Sequence, residues 1–167
     1  LNNDKRKLVK KRTFFMIGLI IAVILFNLIA FITNKRLTKN QIVHIWSFTI
    51  TLQIIADLFI DQKYHGYWYF TQDVDWAALP TLIMLLPPIN MMFLNWYPFN
   101  SPLLRIILYY IYWIIFMVIY EVIALLPKPW GYFNYGWWKL EYSILVDPIL
   151  LVILLNYYKW ICKIEKS

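Results

Sequence analysis

Apolar residues run along this chain in five long blocks, at residues 14–32, 42–60, 76–96, 106–126 and 140–158, with short polar or aromatic stretches between them. Each block is close to the ~20 residues that a helix needs to cross ~30 Å of hydrocarbon. Tryptophan and tyrosine gather at the block ends, at Trp76, Trp96, Tyr97, Trp130, Trp137, Trp138, Tyr157 and Tyr158. Membrane–water interfaces select that distribution. The pattern predicts an all-α fold, an integral membrane bundle of five transmembrane helices, with the two chain ends on opposite sides. It divides the chain into a basic tail at 1–12, a single transmembrane domain at 13–160 and a polar C-terminal tail at 161–167.

Composition sharpens this picture. Of the 167 residues, 62% are hydrophobic, 20% aromatic and only 15% charged. A soluble domain carries about 25% charged residues, so there are too few polar side chains here to coat a soluble core. The net charge of +7 would suit nucleic acid. The basic residues, however, sit at chain ends and in short loops between apolar runs, where a membrane surface selects them. Membrane lipids are therefore the expected partners, and nucleic acid is not. The one cysteine, Cys162, can form neither an internal disulfide nor a cysteine-based metal cluster. The basic start and first apolar run read as a retained helix: the run is longer than a usual h-region, and no small-residue cleavage site follows it.

Charge orients the bundle only narrowly. With the N-terminus inside, nine basic residues fall in inner segments: six in the tail, then Lys63, Lys128 and Lys139. Seven fall outside: Lys35, Arg36, Lys39, Arg105, Lys159, Lys163 and Lys166. The cluster KRKLVKKR beside the first block tips the balance towards a multi-pass protein of the cell membrane, a bacterial cytoplasmic membrane, with its N-terminus inside.

The third and fifth blocks resemble each other. At an offset of 61, Pro87 falls on Pro148, Asn95 on Asn156, and NWY (95–97) on NYY (156–158). At 63, Tyr69 and Phe70 meet Tyr132 and Phe133, and at 64 Asp57 meets Glu121. Each half reads as a helix ending in an acid, an aromatic loop, and a helix with a proline ahead of an Asn-aromatic end. Such two-span units share one orientation and are related by an axis along the membrane normal. The fold would then be one helix plus two parallel two-helix repeats.

Polar residues inside the blocks carry the candidate chemistry. Gln53, Asp57 and Asp61 follow at i, i+4 and i+8, along one helix face. Asp61 is placed at the interface and Asp57 one turn deeper. A lone carboxylate in hydrocarbon costs at least ~2.5–3.5 kcal/mol, so Asp57 must face the bundle, reach water or keep its proton. Glu121 follows Tyr110, Trp113 and Met117 at helical spacing, on an aromatic face. Two acids at similar depth in a dry bundle do not both ionise readily. Asp147 and Pro148 allow two arrangements. In the favoured one the fifth helix is continuous, and Pro148 frees the carbonyl of Ile144. In the other, Asp147 caps a helix that starts at depth. Pro87 and Pro88 are the matching helix breakers in the third block. Gln53, Asp57, Glu121 and Asp147 are thus the candidate polar seam. The competing explanation is that each acid snorkels to the interface and bonds a loop Tyr or Trp. Asn90 and Asn95 read as packing groups. His44 and His65 fall on opposite sides of the membrane, which argues against a histidine metal site.

IIADLFIDQKYHGYWYF and IYEVIALLPKPWGYFNYGWWKLEYSILVDPILLVILLNYYKW (within residues 50–160) together resemble a family of small, uncharacterised multi-pass membrane proteins of spore-forming Gram-positive bacteria. The shared features are the acid near the end of the second span, the Glu near the end of the fourth, the GYF-type loop and the following GWW. The resemblance implies a small helical bundle in a membrane and no activity. It also implies basic loops after the first and third spans, which favours the opposite orientation.

The chain has no GxSxG, HExxH, P-loop, GxGxxG or CxxC motif, the usual carriers of hydrolytic, phosphate, dinucleotide or redox chemistry. No cofactor or metal site is expected. The leading reading is a non-enzymatic membrane protein whose polar seam binds a proton, a small cation or a lipid headgroup. Its small size makes a homo-oligomer the expected form. The first alternative is an intramembrane enzyme that modifies a lipid or isoprenoid with buried carboxylic acids. There the chain loosely resembles bacterial lycopene cyclases, but Ile149 and Leu150 stand where those enzymes carry paired acids. The second alternative is a structural or accessory subunit.

Overall fold

The computed structural model describes residues 16–72 and 76–166; the basic tail expected at 1–12 lies outside the described residues. Among these, five α-helices follow in order: α1 (Ile17–Thr33), α2 (Lys39–Asp57), α3 (Leu86–Trp96), α4 (Leu103–Ala124) and α5 (Leu140–Ile164). Two three-residue strands, β1 (Tyr67–Tyr69) and β2 (Phe133–Tyr135), make the one departure from all-α structure among the described residues. A π-helical turn, Leu58–Lys63, continues α2, and another, Thr81–Leu85, leads into α3. With these extensions, four helical stretches are long and apolar enough to cross a membrane: Lys39–Lys63, Trp76–Trp96, Leu103–Ala124 and Leu140–Ile164. α1 is a shorter apolar helix over its described length. α5 runs past Tyr158 to Ile164 with Ile161 buried, so most of the expected polar tail is helix.

Local chemistry sets the ends. Asn34 closes a turn after α1, its side chain accepting from Leu37 N (3.0 Å) and donating to Leu37 O (2.9 Å). Thr38 and Gln41 then form a capping box on α2. Thr38 Oγ1 accepts from Gln41 N and Gln41 Oε1 from Thr38 N, both at 3.2 Å, which satisfies amides that a helix start leaves open.

The helices alternate in direction, which gives the bundle two ends. At one end the start of α1 meets the loop after α4, where Gly18 N donates to Pro129 O (3.2 Å). At the other, Asn95 at the end of α3 ties down the α1–α2 connection. Its Oδ1 accepts from Lys35 N and Arg36 N (3.0 and 3.1 Å), and its Nδ2 donates to Thr33 O (2.8 Å). Glu165 reaches back to the start of α2, accepting from Asn40 Nδ2 (2.7 Å) and from Gln41 Nε2. α3 is the central helix, packed by α1, α2 and α5. Phe93 is fully buried there, ringed by Tyr109, Tyr110 and Trp113 at centroid distances of 5.4–5.6 Å.

Pro87 and Pro88 occupy the first positions of α3, where missing amides do least harm. Lacking N–H groups, they leave the carbonyls four residues earlier, those of Ile83 and Met84, without helical donors. Neighbouring helices supply replacements: Trp46 Nε1 donates to Ile83 O (2.9 Å) and Asn27 Nδ2 to Met84 O (2.7 Å). The helix breakers are thus cross-links to α2 and α1.

Large apolar side chains cover the outside, among them Ile24 and Leu28 on α1, Ile111 and Ile115 on α4 and Ile153 on α5. A water-soluble surface rarely exposes so contiguous an apolar face; hydrocarbon demands one. Exposed Trp76, Trp130 and Trp137 mark one end of this girdle, and Trp96 and Trp160 the other. Ile115, 49% exposed near the middle of α4, tests it. Ile115→Lys is expected to raise the apparent insertion free energy of this segment by roughly 3 kcal/mol, read in a glycosylation-mapped insertion assay.

Candidate functional site

The aromatic loops after α2 and α4 meet as an antiparallel ribbon, with Tyr67 opposite Tyr135, Trp68 opposite Asn134 and Tyr69 opposite Phe133. The strands are short, and backbone bonds beyond them complete the pairing. Gly66 O accepts from Gly136 N (2.7 Å) and Trp138 N (2.9 Å), and Phe70 N donates to Tyr132 O (2.8 Å). His65 and Phe70, on either side of β1, have φ of 51° and 57°, a left-handed conformation that non-glycine residues adopt at a cost. Alternation puts Tyr67, Tyr69, Phe133 and Tyr135 on one face of the ribbon. Their rings interlock, with Phe133 5.1 Å from Tyr67 and 5.4 Å from Tyr69.

That face supplies hydroxyls to two acids. Tyr67 Oη donates to Asp57 Oδ1 (2.7 Å), which also accepts from Gln53 Nε2 (2.8 Å). Tyr135 Oη donates to Glu121 Oε1, which also accepts from Ser143 Oγ (2.7 Å). Trp138 Nε1 fixes Ser143 in turn (2.9 Å). Each acid therefore bonds the ribbon tyrosine of its own hairpin. Burial pushes the phenols of Tyr67 and Tyr135 up, and the neighbouring carboxylates add to the shift. Both stay protonated and serve as donors.

Behind the ribbon lies a cavity of about 350 Å³, inside the ~300–1,000 Å³ range of small-molecule sites. Its wall is mostly aromatic and aliphatic, with Tyr67, Tyr69, Tyr132, Phe133, Trp138 and Phe116 among the rings. The polar lining includes Gln53, Thr81, Asn90, Glu121, Ser143 and Asp147, with no Lys, Arg or His among the described residues. Thr81 is 2% exposed with Oγ1 unpartnered. Asp147 projects from α5, which runs unbroken through Pro148.

The structure thus gathers Gln53, Glu121 and Asp147 around one cavity. Asp57 stands behind the wall, 8% exposed and joined to the cavity through Gln53 and Tyr67. Asp61, on the same face as Asp57 as the spacing predicts, is 6% exposed, with no partner for Oδ1 among the described residues. Pro87 and Pro148 differ in role, the first opening α3 and the second sitting inside α5. Their aligned asparagines differ as well, since Asn95 is buried and bonded while Asn156 is exposed. Asn90 packs as expected, donating to Thr49 Oγ1 (2.8 Å). The bond from each acid to a loop tyrosine is the one that the competing explanation expects, met by Tyr67 and Tyr135; sequence reasoning missed Thr81, Ser143 and the pairing of the two loops.

Comparisons with known protein families, curated proteins and solved structures return no match to this chain.

Proposed function

We propose that this is a multi-pass membrane protein that binds a small amphiphile in the cavity behind the ribbon, without chemically altering it. The observation that carries this reading is the cavity itself: aromatic and aliphatic walls for a tail, and Gln53, Glu121 and Asp147 for a polar head. Such sites hold ligands by apolar burial and fix them by a few polar groups. Glu121 is held by two hydroxyl donors and Ser143 by Trp138 Nε1, which fixes an acceptor rather than freeing a nucleophile. With the N-terminus inside, the ribbon lies at the cytoplasmic leaflet.

Leu150 lines the cavity, and Leu150→Trp fills it. Protein purified in mild detergent is expected to carry a bound lipid or other amphiphile in native mass spectrometry. Leu150→Trp is expected to lose at least about nine-tenths of it, the occupancy change of a tenfold weaker site. Equal amphiphile on both proteins, or none on either, counts against the reading.

A further inference from the structure

We infer that the head of the bound molecule is an organic cation, an ammonium group carried on an apolar tail; this rests on the amphiphile reading above and names its ligand class. Two carboxyl side chains, Glu121 and Asp147, line one cavity, and among the described residues no basic side chain lines it to balance them. Glu121 already accepts two hydrogen bonds. Asp147 takes part in none among the described side-chain bonds and is partly exposed on the cavity side of α5. A buried carboxylate needs an opposite charge or a proton. The rest of the wall supplies ring faces, Tyr67, Tyr69, Phe116, Tyr120, Tyr132 and Trp138. Aromatic faces attract ammonium groups, and boxes of them are how quaternary ammonium ligands are held.

A second observation points to the same place. Thr81 also lines the cavity, is almost wholly buried, and has an Oγ1 without a partner among the described residues. A buried hydroxyl left unmet is costly, and since it both donates and accepts, a polar head in the cavity is a partner for it. An anionic head is disfavoured by both acids. A neutral head supplies no charge to balance them and leaves a proton as the means of neutralising them.

The test uses the full chain in a non-ionic amphipol, with equilibrium dialysis of decyltrimethylammonium, decanol and decanoate. Decyltrimethylammonium is expected to bind at least about tenfold more tightly than decanol, and decanoate not to bind measurably. In E121Q/D147N the preference for decyltrimethylammonium over decanol is expected to fall below about threefold. E121D/D147E, which keeps both charges, is expected to restore it. Equal binding of all three probes would overturn the cationic head and leave the amphiphile reading standing. Binding of none would overturn both. A preference that survives E121Q/D147N would overturn the assignment to these acids. Choline and lysophosphatidylcholine as competitors separate the sources: displacement by choline assigns a free cation, displacement by the lysolipid alone assigns a lipid-borne one, and displacement by neither overturns the inference.

Discussion

Gly136→Ala is expected to cost about 3 kcal/mol of stability, measured by detergent-induced unfolding followed by circular dichroism. A Cβ at Gly136 would overlap the carbonyl oxygen of His65 and come within 3.1 Å of Gly66 O. Both obstacles are backbone, so no rotamer change makes room. The same residue donates its N–H to Gly66 O, and moving it away to relieve the overlap breaks that bond. His65 has little freedom to yield, because it already holds a left-handed φ of 51°. The ribbon must therefore open at this end. It positions Tyr67 and Tyr135, so the hydroxyl donors of Asp57 and Glu121 go with it. Asn134→Ala, on the opposite face of the same strand, is expected to cost under about 0.5 kcal/mol. A similar loss for both would mean that the overlap at Gly136 is relieved without opening the ribbon.

The helices were legible because their surroundings dictate them. In hydrocarbon every backbone amide must be satisfied within the span, so a long apolar block admits little else. The ribbon was hidden for the opposite reason. Three-residue strands carry almost no periodic signal, and α3 and α4 lie in the chain between Tyr67 and its partner Tyr135. Two freed carbonyls could be named from Pro87 and Pro88 alone, but nothing local says that Trp46 and Asn27 will meet them. The seam shows the same boundary. Gln53 and Asp57 share a face by spacing, and the structure keeps them bonded at 2.8 Å. The spacing holds at Asp61 too, which is as buried as Asp57 although a π-helical turn begins between them. That Glu121 and Asp147 face one cavity depends on how α4 packs on α5, a tertiary fact with no sequence period. The two-fold arrangement expected from the internal repeat suits the antiparallel ribbon, yet it is lost at the far end, where Asn95 and Asn156 lie in different surroundings.

Removing both donors from Asp57 is expected to be as damaging as opening the ribbon. Tyr67→Phe alone leaves Gln53 on the carboxylate and is expected to cost about 1–3 kcal/mol. Adding Gln53→Leu strips the second donor from the oxygen that accepts both bonds. A buried charge whose partners have been removed costs about 3–5 kcal/mol. The informative step is the third substitution. Asp57→Leu added to that pair leaves no carboxylate to satisfy, and the triple variant is expected to recover most of the lost stability. Asp57→Leu by itself orphans the Tyr67 hydroxyl and is expected to be worse than the triple variant. The sign reversal makes a double-mutant cycle diagnostic: donors and acid should couple by at least about 2 kcal/mol. Additive losses across the cycle would show that water or a headgroup solvates Asp57, and that the ribbon tyrosine is not what allows this acid to lie behind the cavity wall.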